Sequence, residues 1–493
     1  MEIRNTNPNR SERPDSSPLP PRINMFTMFR LGLFQMGLGT MSILTLGVLN
    51  RVMIDELKVP ALLAAGAIAM HQFVAPARLW FGQMSDARPV LGMHRTGYVW
   101  VGTVLFTFAA FIAVQVIWQL NTSVTTVGWT TPTYGWIALL GFVFAVYGLA
   151  LSLGSTPFAA LLVDISEEEE RSKLVGIVWS MLMVGIVAGA IISSTILDQP
   201  EVCGADIVTY DPTQVARATD LVALKQAMNR LFVIVPAIVI GLSIAATAGV
   251  EKKYSRYQSR SSIADREDKI TLGRAFRVLT ASRQTGIFFS FLLIMTVGLF
   301  MQEAVMEPYG GEVFGMCVSE TTQLNAFWGT GTLLGLGTTG FLVVPRIGKF
   351  RTTRLGCLLS AGCFGLIIGA GFFQNPQLLQ LALLLFGIAA GITTSGALSL
   401  MLDLTAAETA GTFIGAWGLS QALARATATV SGGAFLDLGR VVFPNALGAY
   451  ALVFALQALF MVLAVKVLGR VDVQEFKNNA KNAIATILAS DLD

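Results

Sequence analysis

The sequence predicts an all-α polytopic membrane protein with twelve transmembrane helices in two six-helix halves. Three observations carry that prediction. The 493 residues are 54% hydrophobic and 13% charged, about half the charge of an ordinary soluble domain. Apolar runs of about 20 residues, long enough to cross the hydrocarbon core as a helix, recur along the chain. One strongly charged segment, 251–283, separates the sixth run from the seventh.

Residues 1–27 open the chain as a polar, proline-rich tail ("NPNRSERPDSSPLPPRIN") with no apolar core of a signal peptide, and are read as disordered and cytoplasmic. The first half, 28–250, holds runs near 28–50, 60–82, 97–119, 134–156, 173–197 and 230–250. The linker 251–283 carries nine Lys and Arg and is too polar to span. The second half, 284–468, holds runs near 285–305, 322–344, 353–373, 377–402, 411–434 and 446–468, and 469–493 form a cytoplasmic tail. With the N-terminus inside, cytoplasmic segments collect roughly 25 Lys and Arg, and the outer loops hold six: Arg51, Lys58, Arg217, Lys225, Arg230 and Arg440. Both termini therefore read as cytoplasmic, at an inner, intracytoplasmic or thylakoid membrane. Cys357 and Cys363 lie in an apolar run as small hydrophobes. Cys203 and Cys317 fall in predicted outer loops, which leaves a disulfide open without favouring one.

The halves repeat. "ALLVDISEEEERSKLVG" (160–176) lies over "SLMLDLTAAETAGTFIG" (399–415), pairing Asp164 with Asp403 and Gly176 with Gly415. Asp198 and Asp437 stay in register at the same offset. Parallel six-helix repeats describe the major facilitator fold. Ser166 with Glu169, and Thr405 with Glu408, have capping-box spacing at the starts of spans five and eleven, so "EEEE" (167–170) reads as helix capping and a solvated face.

Between spans two and three, Gly82, Asp86, Arg88 and Arg95 resemble the facilitator signature loop. The resemblance implies a latch in which Gly82 lets helices approach and Asp86 faces the start of span eleven, near Thr405, Glu408 and Gly411. The corresponding loop "GFLVVPRIGKFRTTR" (340–354) has Val344 where the acid would stand.

Ionisable residues inside spans are sparse, which argues against ion-coupled transport. Arg425 lies about 21 Å into span eleven at 1.5 Å per residue, with Gln421 one turn earlier. Arg78 is placed to snorkel, and His71 lies mid-span on a similar face. Glu303 and Glu307, with Glu312 and Glu320, read as an acidic outer vestibule free of Lys and Arg. Asn50, Arg51, Asp55 and Glu56 form a polar knot at the end of span one, read either as interfacial residues or, at Arg51, Asp55 and Glu56, as a docking site.

Three stretches, "FRLGLFQMGLGTMSILTLGVLNRVMIDELKVPALLAAG" (29–66), "HQFVAPARLWFGQMSD" (71–86) and "STPFAALLVDISEEEERSKLVGIVWSMLMVG" (155–185), resemble the PucC/LhaA family of bacteriochlorophyll-delivery proteins. "LNRVMIDEL" and "QFVAPAR" are the most specific of these segments, and the resemblance covers nearly all of 25–470. It implies a non-enzymatic factor for light-harvesting antenna assembly that handles chlorophyll or bacteriochlorophyll as cargo, antenna polypeptides, or both. The implied partners are membrane lipid, pigment, single-span antenna polypeptides and pigment-synthesis enzymes, with no nucleic acid. No cofactor, catalytic residue or structural metal site is called for. A pigment magnesium would take His71 first, with Gln35, Gln72 and Asn50 as alternatives, and Arg78, Gln421 and Arg425 are further candidate contacts. The competing reading is a proton-linked carrier of a small hydrophobic or anionic solute. No nucleophile constellation or phosphate loop supports an enzyme.

Overall fold

The computed structural model describes residues 21–199, 203, 207–211, 214–217, 220–255, 283–404 and 410–471. Nearly all of them are helical. The first half contains α1 (Met25–Glu56), α2 (Ala61–Phe73), α3 (Ala77–Ala87), α4 (Thr96–Val127), α5 (Thr131–Ile165), α6 (Glu168–Leu197), α7 (Leu221–Thr247) and α8 (Val250–Tyr254). A small antiparallel hairpin, β1 (Ile207–Asp211) and β2 (Gln214–Arg217), precedes α7. The second half contains α9 (Arg283–Phe300), α10 (Met306–Phe314), α11 (Val318–Thr338), α12 (Lys349–Phe373), α13 (Pro376–Leu404), α14 (Ala410–Val442) and α15 (Ala446–Leu468). Ten helices among the described residues are long and apolar enough to cross a membrane. α11 and α14 are two further long helices, standing where spans eight and eleven are expected.

Local chemistry explains the helix limits. Asn24 accepts the Thr27 amide at 2.8 Å to start α1, Asp220 accepts the Val222 amide at 2.8 Å to start α7, and Asn445 accepts the Gly448 amide at 2.8 Å to start α15. Arg30 donates to the Ala245 and Ala248 carbonyls at 2.6 and 2.5 Å, supplying a cation where α7 ends. Large apolar side chains such as Phe108, Phe142 and Trp179 face outward, as lipid-facing helices require. The main apolar core runs through both halves, with two smaller clusters beside it. Where α4 meets α5, a side chain on Gly102 would collide with the Gly154 backbone, so these helices touch main chain to main chain.

Two expectations about local structure are corrected. Span two is not continuous: α2 ends at Phe73 and α3 begins at Ala77, with Val74–Pro76 forming tighter turns. Pro76 has no amide proton and clashes with the preceding turn, which breaks the helix there. Ser166 follows the end of α5 in extended conformation, and the side chain of Glu169, its expected capping-box partner, lies outside the described residues. The N-cap of α6 is Glu167, whose carboxylate pairs with Arg22 at 2.9 Å. Span one also runs farther than 28–50, because α1 continues through two wide π turns, Ile43–Val48 and Val52–Glu56. Such turns leave an extra residue in the helix and cluster at functional positions.

Helix direction defines two faces. The loop 88–95 and α8 lie on one, called here the linker face. The loops 57–60, 128–130, 374–375 and 443–445 lie on the opposite face. The linker residues 256–282 lie outside the described residues.

Candidate functional site

Three polar assemblies stand out in an otherwise apolar helix bundle. The first is on the linker face. Arg95, 6% exposed, bonds Asp86 at 2.5 Å, Asp164 at 2.8 Å and the Ser85 hydroxyl at 2.6 Å. Burial lowers the Arg95 pKa, but Asp164 and Asp86 outweigh it and leave it raised. Glu251 of α8 closes the arrangement: its carboxylate accepts the His94 amide at 2.8 Å and the Thr96 amide at 2.7 Å, capping α4. All these contacts lie within the first half. The expected partner of Asp86, the start of span eleven at Thr405 and Glu408, lies outside the described residues. Among the described residues a side chain on Gly82 would meet Thr156 Cγ2 at 3.5 Å. Arg88 ends α3, and its carbonyl accepts from Tyr98 at 2.8 Å.

The second assembly joins the halves on the opposite face. Asp437 of α14 accepts the Ala61 and Leu62 amides of α2 at 3.0 and 2.8 Å. Its repeat partner Asp198, just past the end of α6, accepts from Ser319 at the start of α11 at 3.4 Å. The two repeated aspartates thus do parallel work: each holds the first turn of a helix in the other half. Around them Arg51 pairs with Asp55, and with Glu56 at 3.3 Å, while Arg440 pairs with Glu312 at 2.6 Å and Lys58 with Asp55 at 3.0 Å. Cys203 and Cys317 form a disulfide across the same face, which the sequence did not favour because loop positions alone carry no distance. Asn50 donates to the Ala304 carbonyl at 2.6 Å, and Arg51 to the Met316 carbonyl at 3.2 Å. Arg51 is only 2% exposed, so Arg51, Asp55 and Glu56 make an internal joint between the halves and not a docking surface.

The third assembly is a cavity of about 90 Å³ between the halves, lined by α1, α6, α10, α11, α13 and α14 and by the turn Met301–Ala304. Arg425 bonds Glu303 at 2.5 Å and stacks on Phe300 with its guanidinium 4.1 Å from the ring centre. Glu307, 5% exposed, accepts from Asn325 at 2.5 Å. Gly47 in the first π turn lets Glu307 reach this position, because a side chain there would occupy its carboxylate oxygen. The acidic vestibule is therefore corrected. Glu303 and Glu307 turn inward, Glu312 pairs with Arg440, and Glu320 accepts the Cys317 amide at 2.9 Å. Sequence reasoning missed this because the helix breaks at Met301–Ala304 and restarts at Met306, which no apolar run reveals. An interior acid–base group exists after all.

His71 stands apart from the cavity, two residues before the end of α2. Its Nδ1 lies 2.6 Å from the Ile68 carbonyl and its ring meets Tyr147 edge-on at 6.0 Å. A carbonyl can only accept, so Nδ1 carries the proton and Nε2 the lone pair. Next to it, Gln72 is buried with its side-chain carbonyl unbonded within the protein. Gln35 and Gln421 are half-buried, and Arg78 is exposed.

Solved structures share this architecture. A nucleoside transporter, NupG, matches with a TM-score of 0.62 over 90% of this chain and 99% of that one, at 12% identity. A bacterial homologue of the iron transporter ferroportin, in an inward-facing state, matches at 0.60 over 90% and 97%, at 14% identity. The chain is thus an integral membrane protein with the major facilitator fold. The PUCC protein family model matches residues 48–476, and the chain belongs to that family. It is 28% identical over 428 residues to protein PucC of Rhodobacter capsulatus, covering 84% of this chain and 86% of that one. PucC of Cereibacter sphaeroides is 27% identical over 432 residues, covering 85% and 86%. A further Rhodobacter capsulatus relative, 28% identical over 446 residues and covering 89% and 93%, is called bacteriochlorophyll synthase 44.5 kDa chain. Family and fold together support a membrane factor or transporter.

Proposed function

We propose that the protein serves light-harvesting antenna assembly by holding chlorophyll or bacteriochlorophyll for transfer to antenna polypeptides. The observation that carries the reading is His71. Its Nδ1–H is committed to the Ile68 carbonyl, and the orienting bond leaves Nε2 free to ligate a metal. The pigment's magnesium accepts one axial imidazole. The ring itself is far larger than the 90 Å³ cavity, so it lies outside it, along span two where the helix breaks at Pro76. The relative named for bacteriochlorophyll synthase supports the same cargo class.

The test is gentle solubilisation of the tagged protein from a phototroph, with an absorption spectrum and mass spectrometry of its partners. Pigment and single-span antenna polypeptides should co-purify, and pigment should fall in His71→Leu. A preparation free of both would refute the reading. A second reading, a cation-linked transporter of a small solute, is favoured by the Glu303–Arg425 pair in the cavity between the halves. Solute uptake by reconstituted vesicles that collapses in Arg425→Ala would establish it instead.

A further inference from the structure

We propose that the cavity between the halves binds one monovalent cation, a proton or an alkali metal ion, against the carboxylates of Glu307 and Glu303. The inference goes beyond pigment handling and does not depend on it.

Charge balance is the starting point. Of the cations near the cavity, Arg425 is taken by Glu303 at 2.5 Å, and Arg51 by Asp55 and Glu56. α6 and α13 bring only Ile186 and Leu383 to the lining, and α11 brings Leu324, Asn325 and Trp328. Glu307 therefore has no ion-pair partner of its own among the described residues, and Asn325 gives it a neutral hydrogen bond. A buried carboxylate without compensation costs several kcal/mol, and proteins resolve it by pairing, by metal binding or by protonation.

Geometry supplies the second argument. The Oε2 atoms of Glu303 and Glu307 are both buried with no hydrogen-bond partner in the protein. Both residues line the same cavity. They come from adjoining short helical segments, so the break between Met301–Ala304 and α10 brings two free carboxylate oxygens to one small space. Ser42 and Gln302 add oxygen atoms to its wall. Oxygen donors suit hard cations. Two carboxylates against one guanidinium leave one negative charge, which one monovalent ion neutralises. No group of three or more His, Cys, Asp or Glu side chains able to hold a metal occurs among the described residues, so a multivalent site is not indicated. About 90 Å³ accommodates a small ion with a few waters, each needing about 10–15 Å³ of such space.

Position gives the ion a consequence. α1 belongs to one half and α10, α11 and α14 to the other, so an ion here bridges the two halves. Cation occupancy favours contact between the halves at this site.

The experiment measures both forms of the charge on the purified full chain. In sodium-free choline buffer, infrared difference spectra of wild type minus Glu307→Gln should show the carbonyl stretch of a protonated acid if a proton fills the site. If an alkali ion fills it, radioactive sodium should bind at one ion per chain, at least tenfold weaker in Glu307→Gln. An acid band absent from wild type together with no saturable sodium binding overturns the proposal. Should Glu307→Gln fail to fold, Asn325→Ala serves, since it removes the amide on Glu307 Oε1 and otherwise only a bond to the Thr322 carbonyl within its own helix. A shifted acid band or an altered sodium affinity supports the site, and an unchanged value in both overturns it.

Discussion

Replacing Asp437 with alanine should loosen the opposite face by a calculable amount. Asp437 accepts two amides at the start of α2, at 3.0 and 2.8 Å, across the boundary between the halves. Losing a side-chain cap costs about 1 kcal/mol, and losing a negative charge at a helix N-terminus costs about 0.3–1 kcal/mol more. Arg440, 3.6 Å from Asp437, keeps its closer partner Glu312 at 2.6 Å, so little further loss is expected there. The total, about 1.3–2 kcal/mol, is roughly a 10- to 30-fold shift toward the state open on that face. The Cys203–Cys317 disulfide must be absent for the shift to show, so the assay uses a Cys203→Ser background. Spin labels at the exposed Thr126 and Gln377, one on each half, report the separation by pulsed dipolar spectroscopy. The longer distance should gain population about tenfold or more in Asp437→Ala and less in Asp437→Asn, which keeps an acceptor. A change under twofold would refute the assignment of Asp437 as a joint between the halves.

Other outcomes follow from the same contacts. Arg95→Ala removes the guanidinium that bonds Asp164, Asp86 and Ser85 and should lower thermal stability, a loss that Arg95→Lys partly restores. Arg425→Ala should be more destabilising than the double change Arg425→Ala with Glu303→Gln, because the single variant strands a buried charge; equal losses would argue against the pair. Gly102→Val should cost at least about 2 kcal/mol by forcing α4 away from α5, seen as a lower melting temperature in detergent. Peptide mapping without reductant should recover Cys203 linked to Cys317, with Cys357 and Cys363 as buried free thiols.

The helical membrane fold was legible because it rests on long apolar runs, and the internal repeat because Asp164, Asp198, Asp403 and Asp437 hold one offset. What the repeat could not show was the work its aspartates do. Asp198 and Asp437 reach across to α11 and α2, a relation of space that spacing along one helix does not encode. The cavity was hidden for a similar reason. Glu303 and Glu307 sit near the end of an apolar run, where carboxylates ordinarily meet solvent. Only the broken helix at Met301–Ala304 and the π turn around Gly47 turn them inward. Arg425 was visible as a mid-span charge, but its partner was assigned to solvent. The break in span two was written in "QFVAPAR", where Pro76 interrupts the pattern, and the same stretch carries His71 and much of the resemblance to the family. The signature loop shows the opposite limit: Asp86 and Arg95 were singled out, and their direct pairing required coordinates.

Pigment ligation at His71 is the claim on which the functional account turns. Titration of bacteriochlorophyll into the pigment-free purified protein, read by resonance Raman for axial imidazole on magnesium, addresses it directly. The account predicts about one ligated pigment per chain in wild type and at least tenfold weaker ligation in His71→Leu. Equal ligation in the two proteins, or none in either, would contradict it.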